Sequence, residues 1–118
     1  MTVNELLEKY YFHDSCITSI NYNSESKQLN ITMDFCNWAQ SWYKDEDPEN
    51  ICLKLTLFGI DSYDNLLGEI DYYSVLDAKE KDNALYLFLL DDINNKTYEL
   101  LLSPNNIRVD TINTQDDK

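Results

Sequence analysis

The sequence predicts an α+β fold that is mostly β, in which a short N-terminal helix packs on an antiparallel meander sheet of about six or seven strands. Seven segments have the alternation or the β-branched and aromatic composition of strands, and only the N-terminal segment has helical spacing. Most connections between the segments are short. The pattern leaves open whether the sheet stays open beneath the helix, curls into a partial barrel or splits into a sandwich.

The helix is predicted from an apolar stripe formed by Leu6, Leu7 and Tyr10, with Thr2 or Asn4 as the N-cap. At about two turns it would not be stable alone, so we expect it to dock on the sheet.

The first three strands are predicted over residues 16–22, 28–35 and 51–58. Residues 28–35 and 51–58 alternate between apolar and more polar side chains, which is typical of strands with one buried face. The polar segment 23–27 has hairpin length, so the first two strands are expected to pair.

Four more strands are predicted over residues 68–76, 84–90, 97–102 and 107–112. Residues 68–76 are ambiguous, because the aromatic and apolar side chains fall on both parities. Residues 84–90 are entirely apolar, which indicates a central strand covered on both faces. We expect one globular domain over residues 1–113 and a disordered tail over residues 114–118.

The formal net charge of the chain is −13, and 13 of its 22 acidic residues lie between residues 45 and 92. A surface this negative repels nucleic acid and anionic membranes, and it attracts basic proteins or cations. No secretory signal and no membrane-spanning segment is visible, so the sequence predicts a soluble cytoplasmic protein. The three cysteines match neither a disulfide framework nor a zinc motif, so we expect reduced thiols.

The motif Phe12-His13-Asp14-Ser15 contains the three residue types of a hydrolase triad, but they are adjacent in sequence. In an extended segment Asp14 would point away from His13 and could not orient it. We therefore assign His13, Asp14 and Ser15 a structural role, in which Asp14 or Ser15 bonds nearby backbone amides. No nucleotide, metal or hydrolase motif is present, and no metal or cofactor is expected.

The connection over residues 36–50 is the most unusual segment, because long connections in small domains are often functional. Its aromatic residues are candidate anchors for a protein partner, and the acidic residues that follow are candidates for the rim. Alternatively, the tryptophans cover an open end of the sheet. The acids match no EF-hand pattern. The candidate partner-binding residues are Trp38, Trp42, Tyr43, Asp45, Glu46, Asp47 and Glu49.

The FHDS motif, followed by a hairpin and by Asp34-Phe35-Cys36-Asn37-Trp38, resembles small uncharacterised proteins of Gram-positive bacteria with an FHDS- or HDS-like start. Some of these are similar to the immunity partners of secreted polymorphic toxins. The resemblance implies a non-enzymatic antagonist.

Three functions are consistent with these observations. The first is an acidic binding protein, such as an immunity-type inhibitor that docks on a basic toxin. The second is an enzyme or small-ligand-binding protein with a pocket at the sheet end that uses Asp34, His13 or Tyr73. The third is a structural homo-oligomer formed through an exposed sheet edge.

Overall fold

The computed structural model describes residues 1–63 and 72–112. Within these ranges one helix and seven strands form, which confirms the predicted α+β, mostly β fold. The elements are α1 (Val3–Lys9), β1 (Cys16–Asn23), β2 (Gln28–Cys36), β3 (Asn50–Phe58), β4 (Tyr73–Lys81), β5 (Ala84–Asp91), β6 (Lys96–Leu102) and β7 (Asn106–Ile112).

All seven strands belong to one antiparallel sheet, in the order β6-β5-β4-β1-β2-β3-β7. The sheet consists of two three-stranded meanders, β1-β2-β3 and β4-β5-β6, joined through β1 and β4, with β7 added beside β3. The joint is short, since only Cys16 with Ser74 and Ile17 with Tyr73 are paired. β6 and β7 remain the two edges, so the sheet is not closed into a barrel.

Thr2 is the N-cap of α1, and it forms a capping box with Glu5. The Thr2 hydroxyl accepts the Glu5 amide at 3.1 Å, and the Glu5 carboxylate accepts the Thr2 amide at 2.8 Å. These bonds lower the pKa of Glu5, because they favour its ionised form. The helix buries Val3 and Leu6 against the sheet, which provides the docking that so short a helix needs.

The core is formed by the alternating apolar side chains of the strands together with α1. In β2 and β3 these side chains are fully buried: Leu29, Ile31, Met33, Phe35, Leu53, Leu55 and Leu57. At roughly 1.5–3 kcal/mol for each fully buried aliphatic or Phe side chain, this face supplies the main stabilisation of the sheet. The opposite face of β2 carries half-buried polar residues.

Residues 84–90 form a strand between β4 and β6, as predicted, but the expectation that both its faces are covered is wrong. Leu85, Leu87 and Leu89 are buried, whereas the alternate residues are only half-buried. The reason is that α1 packs on the core face alone, and no other helix of the described chain covers the outer face.

The ambiguous pattern over residues 68–76 lies only partly within the described chain. Positions 68–71 lie outside the described residues, and β4 begins at Tyr73 and continues to Lys81. A bulge between Val75 and Asp77 shifts the alternation, so inward positions change parity along the strand. The predicted tail, 114–118, also lies outside the described residues. Among the residues described, no helix has the length and apolar character needed to cross a membrane.

Candidate functional site

The candidate site is the loop over residues 37–49, which joins the end of β2 to the start of β3. A single 3₁₀ turn, Asn37–Ala39, begins it. The buried Asn37 side chain donates to the Pro48 carbonyl at 2.9 Å and accepts the Trp42 indole N–H at 3.1 Å. The Trp38 amide donates to the Glu49 carbonyl at 3.0 Å. Asn37 therefore ties the two arms of the loop together and orients one indole.

Gln40 connects the same loop to the segment that precedes β1. Its side chain is 7% exposed and makes three hydrogen bonds. The amide nitrogen donates to the Tyr11 carbonyl at 2.7 Å and to the Cys36 carbonyl at 2.9 Å, and the amide oxygen accepts the Tyr11 N–H at 2.8 Å. Asn37 and Gln40 thus satisfy backbone groups that regular structure leaves unpaired here, and they hold the loop in one conformation.

The two tryptophans differ in how they are placed. Trp42 is 39% exposed, and its ring meets Tyr10 edge to face at 5.6 Å, while Tyr10 in turn contacts the core residue Phe35. Trp38 is 52% exposed. Trp42 therefore rests partly on the sheet end, whereas Trp38 exposes about half of its surface to solvent.

The four candidate carboxylates lie on the outer surface of the loop. Asp45, Glu46 and Glu49 are exposed, and Asp47 is half-buried, with its carboxylate accepting the Lys44 amide at 3.0 Å. Partial burial raises the pKa of the Tyr43 phenol, and the negative charges of Glu49, Asp45 and Asp47 raise it further. The loop thus brings Tyr43 and its acidic neighbours together.

The FHDS motif forms a tight connection between α1 and β1. Asp14 adopts a left-handed conformation, with φ of 70°, and its amide donates to the Val75 carbonyl at 2.9 Å. Ser15 is fully buried, and its hydroxyl accepts the Cys36 amide at 3.0 Å. The motif therefore connects β1 to both β4 and the end of β2.

The expectation that Asp14 points away from His13 is wrong, because the segment is not extended at this point. The positive φ of Asp14 turns the chain and places its carboxylate 3.2 Å from His13 Nδ1. The Ser15 hydroxyl is buried and occupied by the Cys36 amide. The three residue types of a hydrolase triad are thus adjacent, but the Ser15 hydroxyl is committed to a backbone contact.

The residues proposed for a small-ligand pocket do not converge. Tyr73 is buried on the core face and stacks on Tyr98, with ring centroids 5.5 Å apart. Asp34 lies on the outer face, where the Tyr72 hydroxyl donates to it at 3.0 Å and where this bond raises the pKa of Tyr72. A cavity of about 110 Å³ adjoins His13, but neither Asp34 nor Tyr73 lines it.

Sequence reasoning missed three exposed side chains at this end of the sheet: Tyr11, Tyr72 and Ile93. Ile93 lies in the polar turn over residues 91–96, which is a local signal for exposure, whereas the local sequence of Tyr11 and Tyr72 carries no such signal. In the part of the chain that the structure describes, no group of three or more His, Cys, Asp or Glu side chains is arranged to hold a metal ion. Comparison with protein-family models, curated proteins and solved structures finds no match.

Proposed function

We propose that the protein is a non-enzymatic, cytoplasmic binding protein that uses the 37–49 loop to dock on a basic protein, as an immunity-type inhibitor docks on a toxin. One observation carries the proposal: two buried amide side chains hold a loop that exposes indole surface beside carboxylates. Within residues 1–63 and 72–112, no Lys or Arg forms an ion pair with these carboxylates.

The arrangement suits binding because the main costs of association are reduced in advance. A loop already held by Asn37 and Gln40 loses little conformational freedom when a partner docks. Trp38 and Trp42 offer large apolar area with few rotatable bonds, which is typical of residues that dominate binding energy. The indoles are therefore the proposed anchors.

The carboxylates of the loop supply orientation and association rate. Net negative charge attracts a basic surface and accelerates the encounter, an effect that weakens as salt screens it. A toxin whose cleft is built to hold phosphate groups would present such a basic surface. The same charge disfavours nucleic acid and anionic membrane as partners.

The proposal is tested by isolating a complex from the source cells and then measuring affinity with purified components. Tagged protein is used for capture at low and high salt, bound proteins are identified by mass spectrometry, and the complex is titrated by calorimetry. The double variant Trp42→Ala, Asp45→Asn is expected to weaken binding by about 30-fold or more, as loss of one anchor residue does.

The matched control is Leu101→Ala, Glu25→Gln, which removes an exposed apolar side chain and one carboxylate away from the loop. It is expected to leave the affinity unchanged. The proposal fails if the captured partner is not basic, or if the loop variant and the control bind equally well.

A further inference from the structure

The exposed aromatic and large aliphatic side chains of the described residues are concentrated at one end of the sheet. Six such side chains are exposed, and five of them lie where β2 and β5 end and β1, β3, β4 and β6 begin. Leu101, in β6, is the sixth. The five are Tyr11, Trp38, Trp42, Tyr72 and Ile93. Strand order produces this grouping, because β4 pairs with β1 and so brings residues 72–74 and the β5–β6 turn beside residues 34–36.

Two of the five side chains belong to a second patch beyond the loop. We define the β4 patch as Tyr72, Asp34, Ser74, Asp92 and Ile93. The Tyr72 hydroxyl donates to Asp34 at 3.0 Å, and the Ser74 hydroxyl donates to Asp92 at 3.4 Å. Asp34 and Ser74 both pair with Cys16, so they lie two strand spacings apart, about 10 Å. Tyr72 is 46% exposed and Ile93 is 74% exposed.

Carboxylates outnumber basic side chains at this end of the sheet, where the lysines are Lys44 in the loop and Lys96 beside Asp91. The ion pairs that Lys and Arg make within the described chain are Lys27 with Asp61, Lys79 with Asp77, and Arg108 with Asp110. None of them involves the carboxylates at the end that carries the loop and the β4 patch. Those carboxylates are Asp14, Asp34, Asp45, Glu46, Asp47, Glu49, Asp91 and Asp92.

We propose that the docking face is bipartite and that the β4 patch receives arginine side chains of the same basic partner that contacts the loop. The inference rests on the proposed function and extends its site. Arginine fits this chemistry because a planar guanidinium stacks on an aromatic ring while its N–H groups bond a carboxylate. Tyr72 and Asp34 present that pair of groups side by side, and Asp92 offers a second carboxylate across the patch.

Other occupants of the patch fit less well. A second copy of this chain would bring another −13 to an already negative end, which opposes close association. Nucleic acid and anionic lipid carry the same sign of charge. Charge complementarity therefore favours a cationic protein segment as the occupant of the β4 patch.

The probe for the test is a capped peptide in which arginine alternates with glycine, compared with the same peptide in which lysine replaces arginine. Full-length protein labelled with ¹⁵N is titrated with each peptide, and amide shifts are followed at moderate salt. We expect saturable shifts at Tyr72, Ser74 and Ile93 as well as in the loop, with tighter binding of the arginine peptide.

Two variants test the patch directly. The first is the double variant Tyr72→Ala, Ile93→Ser, and the second is the shape-conserving single variant Asp34→Asn. Each is expected to weaken binding of the arginine peptide by about fivefold, which is the scale of an exposed cation–π or ion-pair contact. The Leu101→Ala, Glu25→Gln control is expected to bind as the parent does. All the substituted positions are at least partly solvent-accessible, and spectral dispersion verifies that each variant is folded.

The outcomes separate this inference from the proposed function. Shifts confined to the loop overturn the bipartite face and leave the proposed function standing. Shifts confined to the β4 patch also overturn the bipartite face, and they contradict the loop as the anchor of the proposed function. The inference would be overturned if no amide shifts were seen, or if the shifts were equally large at Glu25 and Asp61 at the opposite end of the sheet. It would also be overturned if both peptides bound with equal affinity, or if the protein self-associated as its concentration rose.

Discussion

Gln40→Glu is the substitution that tests most directly whether the loop is held by its buried amides. The change keeps the size of the side chain but replaces the nitrogen that donates to Tyr11 and Cys36 with a second oxygen. Two carbonyl oxygens at 2.7 and 2.9 Å would then face an acceptor in place of a donor.

The expected cost follows from how well each orphaned group can reach water. Tyr11 is an exposed residue, so its carbonyl can be hydrated after a small movement. Cys36 is buried, and an unsatisfied buried carbonyl costs about 1–3 kcal/mol. Placing a carboxylate at this site adds a desolvation penalty or forces it to stay protonated. We expect a loss of at least about 2 kcal/mol in the free energy of unfolding.

The assay is thermal and urea unfolding, together with tryptophan emission from Trp38 and Trp42. For a chain of this size, about 2 kcal/mol corresponds to a fall in Tm of roughly 6–10 °C. Gln28→Glu is the matched control, because Gln28 is half-buried at the start of β2 and makes no side-chain hydrogen bond within the described chain. The reasoning is refuted if the two variants lose equal stability, or if the emission of the Gln40 variant equals that of the parent.

Three further substitutions probe other contacts of the structure. Ser15→Ala leaves the buried Cys36 amide without its acceptor, and it should cost about 1–3 kcal/mol in urea unfolding. Asp91→Asn should flatten the acid side of the stability curve, because hydrogen bonds from Asn94 and the neighbouring backbone lower the pKa of Asp91 in the folded state. That stabilisation is present above the unfolded-state pKa and is lost as pH falls through the folded-state value, so melting is measured from pH 7 downward. Gly59→Ala should cost about 1–2 kcal/mol, because φ is 79° there.

Each of these three substitutions has a matched control variant or a result that would contradict the argument for it. Ser26→Ala, in an exposed turn, should change stability by less than about 0.5 kcal/mol. The argument for Asp91 is contradicted if the parent and Asp91→Asn lose stability equally as pH falls. A Cβ added at Gly59 would also clash with the Asn105 side chain. Removing the Asn105 side chain in the Gly59→Ala background should therefore recover only part of the loss, because the backbone strain remains. Full recovery would contradict the strain argument.

The fold could be predicted from the sequence because most of its information is local. Alternation in residues 28–35 and 51–58 reports one buried face, and a helix of two turns has to dock on that face. The prediction was wrong where the coverage of a strand face is a tertiary property, and it was ambiguous for β4, which contains a bulge. The bulge after Val75 changed the parity of β4, and residues 84–90 are apolar on a face that the helix does not reach.

The site could be predicted only in part, for a similar reason. The loop over residues 37–49 is continuous in sequence, so its aromatic and acidic residues could be recognised together. The β4 patch joins Asp34 to Tyr72, which lies 38 positions later, and this contact exists only because β4 pairs with β1 instead of β3. Local spacing carries no information about that choice.

The structure separates the residues that hold this end of the sheet from those that face outward. Ser15, Asn37 and Gln40 are buried, and each satisfies backbone groups or an indole N–H. Trp38 is 52% exposed and Tyr72 is 46% exposed, so about half of each side chain is accessible to a partner. Because the buried residues stabilise this end of the sheet, the exposed residues can present apolar and acidic groups at a modest cost to folding. Substitutions of the buried residues should therefore mainly lower stability, whereas substitutions of the exposed residues should mainly lower affinity.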